Sequence, residues 1–296
     1  MIYQTKYKDR EAIAVETACL TLLILPQDGA KLVSLKRKAD GKELLVTKTG
    51  ETYNVLSYEG SYVESECSGF DDMFPTVDPE TVEGIPYPDH GECCRLPYEA
   101  TIAEDQLILK AESKLFSVTY EKRVYVAGDD TICLDYRIEN HQNTPLPFLW
   151  AGHIMLAGEE GMRILTPFAE GTPTEMMFID PNTARADGLP YDRLMKHEAG
   201  RGVAYKFYYL SPMPKGEFGV SYPNGQKLLF TVDPKKLPYL GLWLNNGTFQ
   251  DGYSITPEPC TAPFDATGRG AERGYGAKIP ANAAFSFDIK IQLTEE

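Results

Sequence analysis

The sequence predicts an all-β chain folded as a large antiparallel β-sandwich. Three observations carry this expectation. Apolar residues recur with period two over strand-length stretches, and clusters of turn-forming residues separate those stretches at short intervals. In addition, 25 Gly and 21 Pro spread along 296 residues leave little room for long helices.

The elements follow in order. Residues 19–25 and 31–35 flank Pro26-Gln27-Asp28-Gly29 and read as a first hairpin. Residues 117–126 and the alternating run Ile132, Leu134, Tyr136, Ile138 are joined through Gly128-Asp129-Asp130. Residues 240–244 and 253–255 flank Asn245-Asn246-Gly247, where Asn-Gly accepts the positive φ of a tight hairpin turn. Phe285, Phe287, Ile289, Ile291 and Leu293 alternate with polar or small residues over a full strand. Such alternation describes a sheet with one buried and one polar face. A helical turn or two is expected at most, at 181–185 or 192–197. The stretches 64–97 and 166–202 are irregular, and long loops in compact β proteins are more often functional than idle. With no internal repeat, low-complexity tract or Ser/Gly linker, a single domain over residues 1–296 is expected.

Composition narrows the function. A hydrophobic content of 43% supplies a core that needs no metal or disulfide support. The net charge of -14 argues against nucleic acid and anionic membrane surfaces as partners, because both are held by Lys/Arg excess. Cys19, Cys67, Cys93, Cys94, Cys133 and Cys260 form no CxxC pair and no zinc spacing, which points to free thiols in a reducing compartment. The opening MIYQTKYKDREAIAV lacks a signal-peptide apolar core, and no run reaches the roughly 18 apolar residues of a membrane span. A cytoplasmic soluble protein is expected, with Asn246-Gly247-Thr248 read as a turn and not a glycosylation site.

Several familiar motifs are absent: no GxSxG elbow, HExxH pair, Walker A loop or EF-hand loop. Gly268-Arg269-Gly270-Ala271-Glu272-Arg273-Gly274 places its last Gly one residue late for a dinucleotide fingerprint and reads as a flexible loop. Three strings carry titratable groups where strand patterns end. His90, in Asp89-His90-Gly91-Glu92, reads either as an imidazole at a strand start aimed into a cleft or as a surface turn histidine. His153, in Gly152-His153-Ile154, sits inside an apolar run, where a satisfied core histidine competes with a site histidine approached past Gly152. Glu258, between Pro257 and Pro259, is a carboxylate on stiff extended backbone or a solvated turn acid. Asp71 and Asp72 offer acceptors for sugar hydroxyls, and Trp150 and Trp243 offer faces on which a sugar could stack. His90 and Glu92 have no third ligand nearby, so no metal site is expected. His141 and His197 lie in polar loops and are given no role.

Taken in order, these strings resemble the aldose 1-epimerase (galactose mutarotase-like) family. The opening hairpin, Gly69 to Pro75, Asp89-His90-Gly91-Glu92 before Pro97-Tyr98, Gly152-His153, Tyr239 to Trp243, and Pro257-Glu258-Pro259-Cys260-Thr261 resemble six family segments in register. The resemblance implies two stacked antiparallel sheets with a broad groove and no cofactor. It implies Glu258 as the base on the anomeric hydroxyl, His153 as the acid on the ring oxygen, and His90 as a hydrogen-bonding helper. His153 and Glu258 should then face one groove, with room for a single ring between them. The family usually carries an Arg ahead of the first His, whereas residues 64–72 contain none. Arg95 is the candidate replacement among the substrate-binding residues, which otherwise comprise Asp71, Asp72 and Trp243. The acidic loop would repel a phosphate, so a small neutral sugar is the expected partner. A non-catalytic carbohydrate-binding or sugar-sensing protein on the same fold is the alternative.

Overall fold

A computed structural model describes residues 1–179, 195, 202–248 and 252–294. Among the described residues nearly all regular structure is antiparallel strand, arranged in an eleven-stranded and an eight-stranded sheet with two small ribbons. The larger sheet begins at one edge with the meander Ile2–Tyr7, Arg10–Glu16, Leu20–Leu25 and Lys31–Arg37. It continues through Phe70–Met73, Ala151–Ile154, Tyr253–Cys260, Tyr239–Asn246, Val203–Tyr209 and Thr174–Ile179, with the short strand Leu156–Ala157 also paired to Tyr253–Cys260. The smaller sheet is built around Val118–Val126, Thr131–Asn140 and Ala283–Thr294, the strands whose alternation is plainest in the sequence.

The sheets share one apolar core. Leu22, Leu32 and Ile154 of the larger sheet belong to the same cluster as Leu109, Leu134 and Ile289 of the smaller. Each such side chain contributes about 1.5–3 kcal/mol on burial. Trp150 lies in this core, with its ring 4.5 Å from Phe287 and 5.4 Å from Tyr136, so it is a packing residue and not a stacking platform. Period-two geometry also separates Asp71 from Asp72. Neighbours on one strand point to opposite faces, so only one of the two acids faces away from the core.

Two local expectations change. Asn245 and Asn246 are strand residues, with Asn246 paired to Tyr253, so the hairpin turns after them. Residues Thr267–Glu272 form a short helix instead of a flexible loop, because the Glu80 carboxylate accepts the free N–H groups of Thr267 and Gly268 at its start. The helical turns expected at 181–185 and 192–197 lie outside the described residues, apart from Met195. Among the described residues no helix is long and apolar enough to cross a membrane.

Candidate active site

One row of the larger sheet sets the geometry. Asp71 is paired with His153 across adjacent strands. The next strand pairs Cys260 with Ala151, and two residues further along, Glu258 comes level with His153. Glu258 pairs with Gly241, and Gly241 with Tyr208. Five strands thus line up Asp71, His153, Glu258, Gly241 and Tyr208 on the face directed away from the core. Lys206, two residues before Tyr208, shares that face. A cleft of about 250 Å³ opens above the row, with His90, His153, Lys206, Trp243, Glu258 and Asp265 among its walls.

Glu258 is fully buried in a strand, which excludes the solvated-turn reading. Pro257 and Pro259 fit there because the His153 side of this strand is paired at Ser254, Ile255 and Cys260 but not between them, leaving ladder donors unneeded there. Its Oε2 lies 2.7 Å from Lys206 Nζ and 3.1 Å from the Tyr208 hydroxyl oxygen. Its Oε1 accepts no hydrogen bond among the described residues and lies 3.9 Å from His153 Nε2. Burial raises the Glu258 pKa above the usual carboxylate range, and the Lys206 ammonium only partly offsets this. Lys206 also lies 2.6 Å from Asp265 Oδ1, which accepts from Tyr208 at 2.8 Å. Burial works against the Lys206 charge, but the two carboxylates hold its pKa above the usual lysine value. Gly241 makes room for this cluster: a Cβ there would come within 2.5 Å of the Tyr208 ring.

His153 occupies the strand Ala151–Ile154 and faces the cleft. Burial lowers its pKa well below the ordinary value, and the nearby His90, Lys206 and Lys31 add to the effect. The resting ring is therefore neutral. Its Nδ1 lies 3.4 Å from the Tyr62 hydroxyl. His90 sits not at a strand start but in a tight turn, with φ of 59°, stacked on Tyr62 at 3.8 Å and edge-on to His153 at 5.8 Å. The turn is possible because Gly91 follows: a Cβ there would lie 2.4 Å from the Phe74 carbonyl oxygen. Asp89 accepts from His90 Nδ1 at 2.8 Å.

The predicted residues divide sharply. His90, His153, Glu258 and Trp243 converge on the cleft, where Trp243 packs at 5.5 Å against Phe178. Asp71 lies beneath it, bonded to the Tyr62 hydroxyl at 2.8 Å and to Lys31 Nζ at 2.9 Å. Asp72 is not a sugar ligand: it points into the core and pairs with Lys122 of the smaller sheet at 2.8 Å. Arg95 does not replace the missing arginine either. It is buried and donates to the carbonyls of Ser57, Tyr58, Gly60, Asp89 and Gly91, pinning the segment before Tyr62 to the His90 turn.

Lys206, Asp265, Tyr208 and Tyr62 were not anticipated. Lys206 carried a readable signal, since a single charge inside Val203–Tyr209, otherwise apolar, needs a buried counter-charge. His153 and Glu258 do not leave space for a ring between them. At 3.9 Å a ring can only lie over the pair, which suits two oxygens bonded to one carbon. A carboxylate oxygen and an imidazole nitrogen at that spacing can give and take protons on one small polar molecule. The cleft is lined by two lysines, Lys48 and Lys206, and three acids, Asp78, Glu258 and Asp265, a balance unsuited to an anion. Among the described residues no three His, Cys, Asp or Glu side chains group as metal ligands.

No protein-family model and no curated protein sequence matches the chain. Solved structures do. A candidate aldose 1-epimerase from Klebsiella pneumoniae is 18% identical, with a TM-score of 0.74, covering 100% of this chain and 83% of the other. A galactose mutarotase-like protein from Clostridium acetobutylicum is 14% identical, with a TM-score of 0.70 over 100% of this chain and 99% of the other. Another, from Lactobacillus casei, is 14% identical, with a TM-score of 0.66 over 96% and 100%. At such identities the likeness speaks for architecture. The two facing antiparallel sheets of this chain are the galactose mutarotase-like fold.

Proposed function

We propose that the chain is an aldose 1-epimerase-like isomerase that interconverts the anomers of a neutral sugar. One observation carries the reading: the buried Glu258 Oε1, without another partner among the described residues, faces the cleft 3.9 Å from His153 Nε2. The fold shared with proteins of that description supports it. In the forward step, Glu258 Oε1 takes the proton from the anomeric hydroxyl, the C1–O1 bond becomes a carbonyl, and the C1–O5 bond breaks toward O5. His153, neutral at rest, first takes up a proton from solvent at Nε2, and the imidazolium delivers that proton to O5. Rotation about C1–C2 and reversal of both transfers close the other anomer. Each positioned acid or base contributes about 10²–10⁴-fold. His90, its Nδ1–H held by Asp89, lines the cleft beside the opening oxygen, and Trp243 lies under the apolar face of the sugar. The charge balance of the cleft favours a neutral sugar over a phosphorylated one. We assign the activity to the cytoplasm, in keeping with six unpaired cysteines, and to a single domain of residues 1–296.

The test is anomer-exchange NMR on a panel of neutral aldoses. Wild type should accelerate exchange on at least one sugar, and His153→Ala and Glu258→Ala should abolish the acceleration while remaining folded. A second reading, sugar binding without turnover, draws on the Lys206 contact, which tempers Glu258 as a base. Calorimetric binding of a sugar whose anomers exchange no faster with the protein would favour it.

A further inference from the structure

The two ring nitrogens of His153 have different surroundings. Nε2 faces Glu258 and the cleft, whereas Nδ1 faces the Tyr62 hydroxyl at 3.4 Å. That hydroxyl has one proton to give and two acceptors within reach. Asp71 Oδ2, at 2.8 Å, is nearer than Nδ1 and is a carboxylate, so it takes the proton. The Tyr62 oxygen is then left with lone pairs toward Nδ1 and can only accept. Lys31 Nζ contacts the same Asp71 oxygen at 2.9 Å, and the pair is closed off from solvent, at 5% and 2% side-chain exposure. Burial and the Asp71 charge also hold the Tyr62 hydroxyl well above its ordinary pKa, keeping its proton in place.

We propose that Lys31, Asp71 and Tyr62 form a relay that holds the His153 proton on Nδ1 and leaves Nε2 as the atom that gains and loses the working proton. These are positioning residues: they act through the ring. The cross-strand pairing of Asp71 with His153 places both side chains on one face, and Tyr62 reaches over from its loop to join them. A buried, charge-compensated acceptor behind a histidine fixes its tautomer and steadies the imidazolium when Nε2 is protonated. The groups facing the ring set its titration. His90, Lys206 and Lys31 disfavour the cation, while Glu258 and the Asp71–Tyr62 pair favour it.

The test is ¹⁵N NMR of the histidine side chains in the full chain without substrate, with His153 assigned by the signals lost in His153→Gln. The relay predicts a pyrrole-type Nδ1 and a pyridine-type Nε2. Tyr62→Phe should lose that preference, and Asp71→Asn provides the second variant if Tyr62→Phe does not fold. A pyrrole-type Nε2 in wild type, or an unchanged tautomer in the folded variants, overturns the relay. In the kinetic arm, which rests on the proposed ring opening, Tyr62→Phe should slow anomer exchange by about tenfold or more. It should also move the His153-dependent limb of the pH profile to lower pH. The NMR arm needs no sugar, so a protein inactive on every aldose still upholds or overturns the relay by itself.

Discussion

Lys206 and Glu258 are joined at 2.7 Å through Oε2, which turns the other carboxylate oxygen toward His153. The same ammonium holds Asp265, so one lysine compensates two buried acids. Lys206→Met keeps most of the length of the side chain and removes the charge. Breaking a buried pair in this way costs about 3–5 kcal/mol of stability. The Glu258 pKa should rise further, and the basic form needed for proton abstraction should appear only at higher pH. Urea denaturation and a pH–rate profile check the two effects separately. Unchanged stability would mean the cluster is not held together by this lysine.

His153 makes stability depend on pH with a definite sign. Its folded pKa lies below the ordinary value of 6.5, mainly through burial. Below pH 6.5 the unfolded chain therefore binds a proton that the folded chain refuses, and stability falls as pH falls. The slope from this group approaches about 1.4 kcal/mol per pH unit. Comparing urea unfolding of wild type and His153→Gln between pH 7.5 and 5, both figures being about the window set by that pKa, should show the variant losing less stability on acidification. Parallel curves would contradict a buried neutral imidazole.

Gly241→Ala places a methyl group 2.5 Å from the Tyr208 ring. The ring must move, which weakens its hydrogen bond to Asp265 and its contact with Glu258. Overpacking of this kind costs about 1–3 kcal/mol. The expected outcome is a lower melting temperature together with slower anomer exchange. A variant with unchanged stability and rate would show that the close packing at Gly241 is not needed.

Arg95 separates a structural role from a substrate-binding one. Its five carbonyl acceptors all belong to the chain. Arg95→Met should leave these buried groups without their donor and cost about 3 kcal/mol, mostly in stability. Were Arg95 a sugar ligand, the substitution would raise KM while leaving the melting temperature nearly unchanged.

Much of this site was legible in the sequence because strand geometry is local. The alternation of 131–139 and 285–293 fixed which residues face the core, and Gly and Pro marked where the strands end. His153 and Glu258 were recognisable from their Gly and Pro neighbours, although nothing local shows that they stand level on adjacent strands. The pair Asp71-Asp72 illustrates the limit. A four-residue strand places one acid on each face, but which one faces the cleft depends on pairing with residue 153, far along the chain. Arg95 looked like a ligand because its charge was visible and its carbonyl partners were not. Tyr62 and Asp265 come from loops, where no periodicity reports on position. Lys206 alone could have been found earlier, as an isolated charge in an apolar strand.

The central claim is that Glu258 and His153 together move two protons on one anomeric centre. Anomer-exchange NMR of wild type and Glu258→Gln on neutral aldoses tests it most directly, because Gln keeps the shape of the side chain and removes the base. The account predicts accelerated exchange by wild type on at least one sugar and a loss of about 10²–10⁴-fold in a folded Glu258→Gln variant. Equal acceleration by both proteins would contradict it.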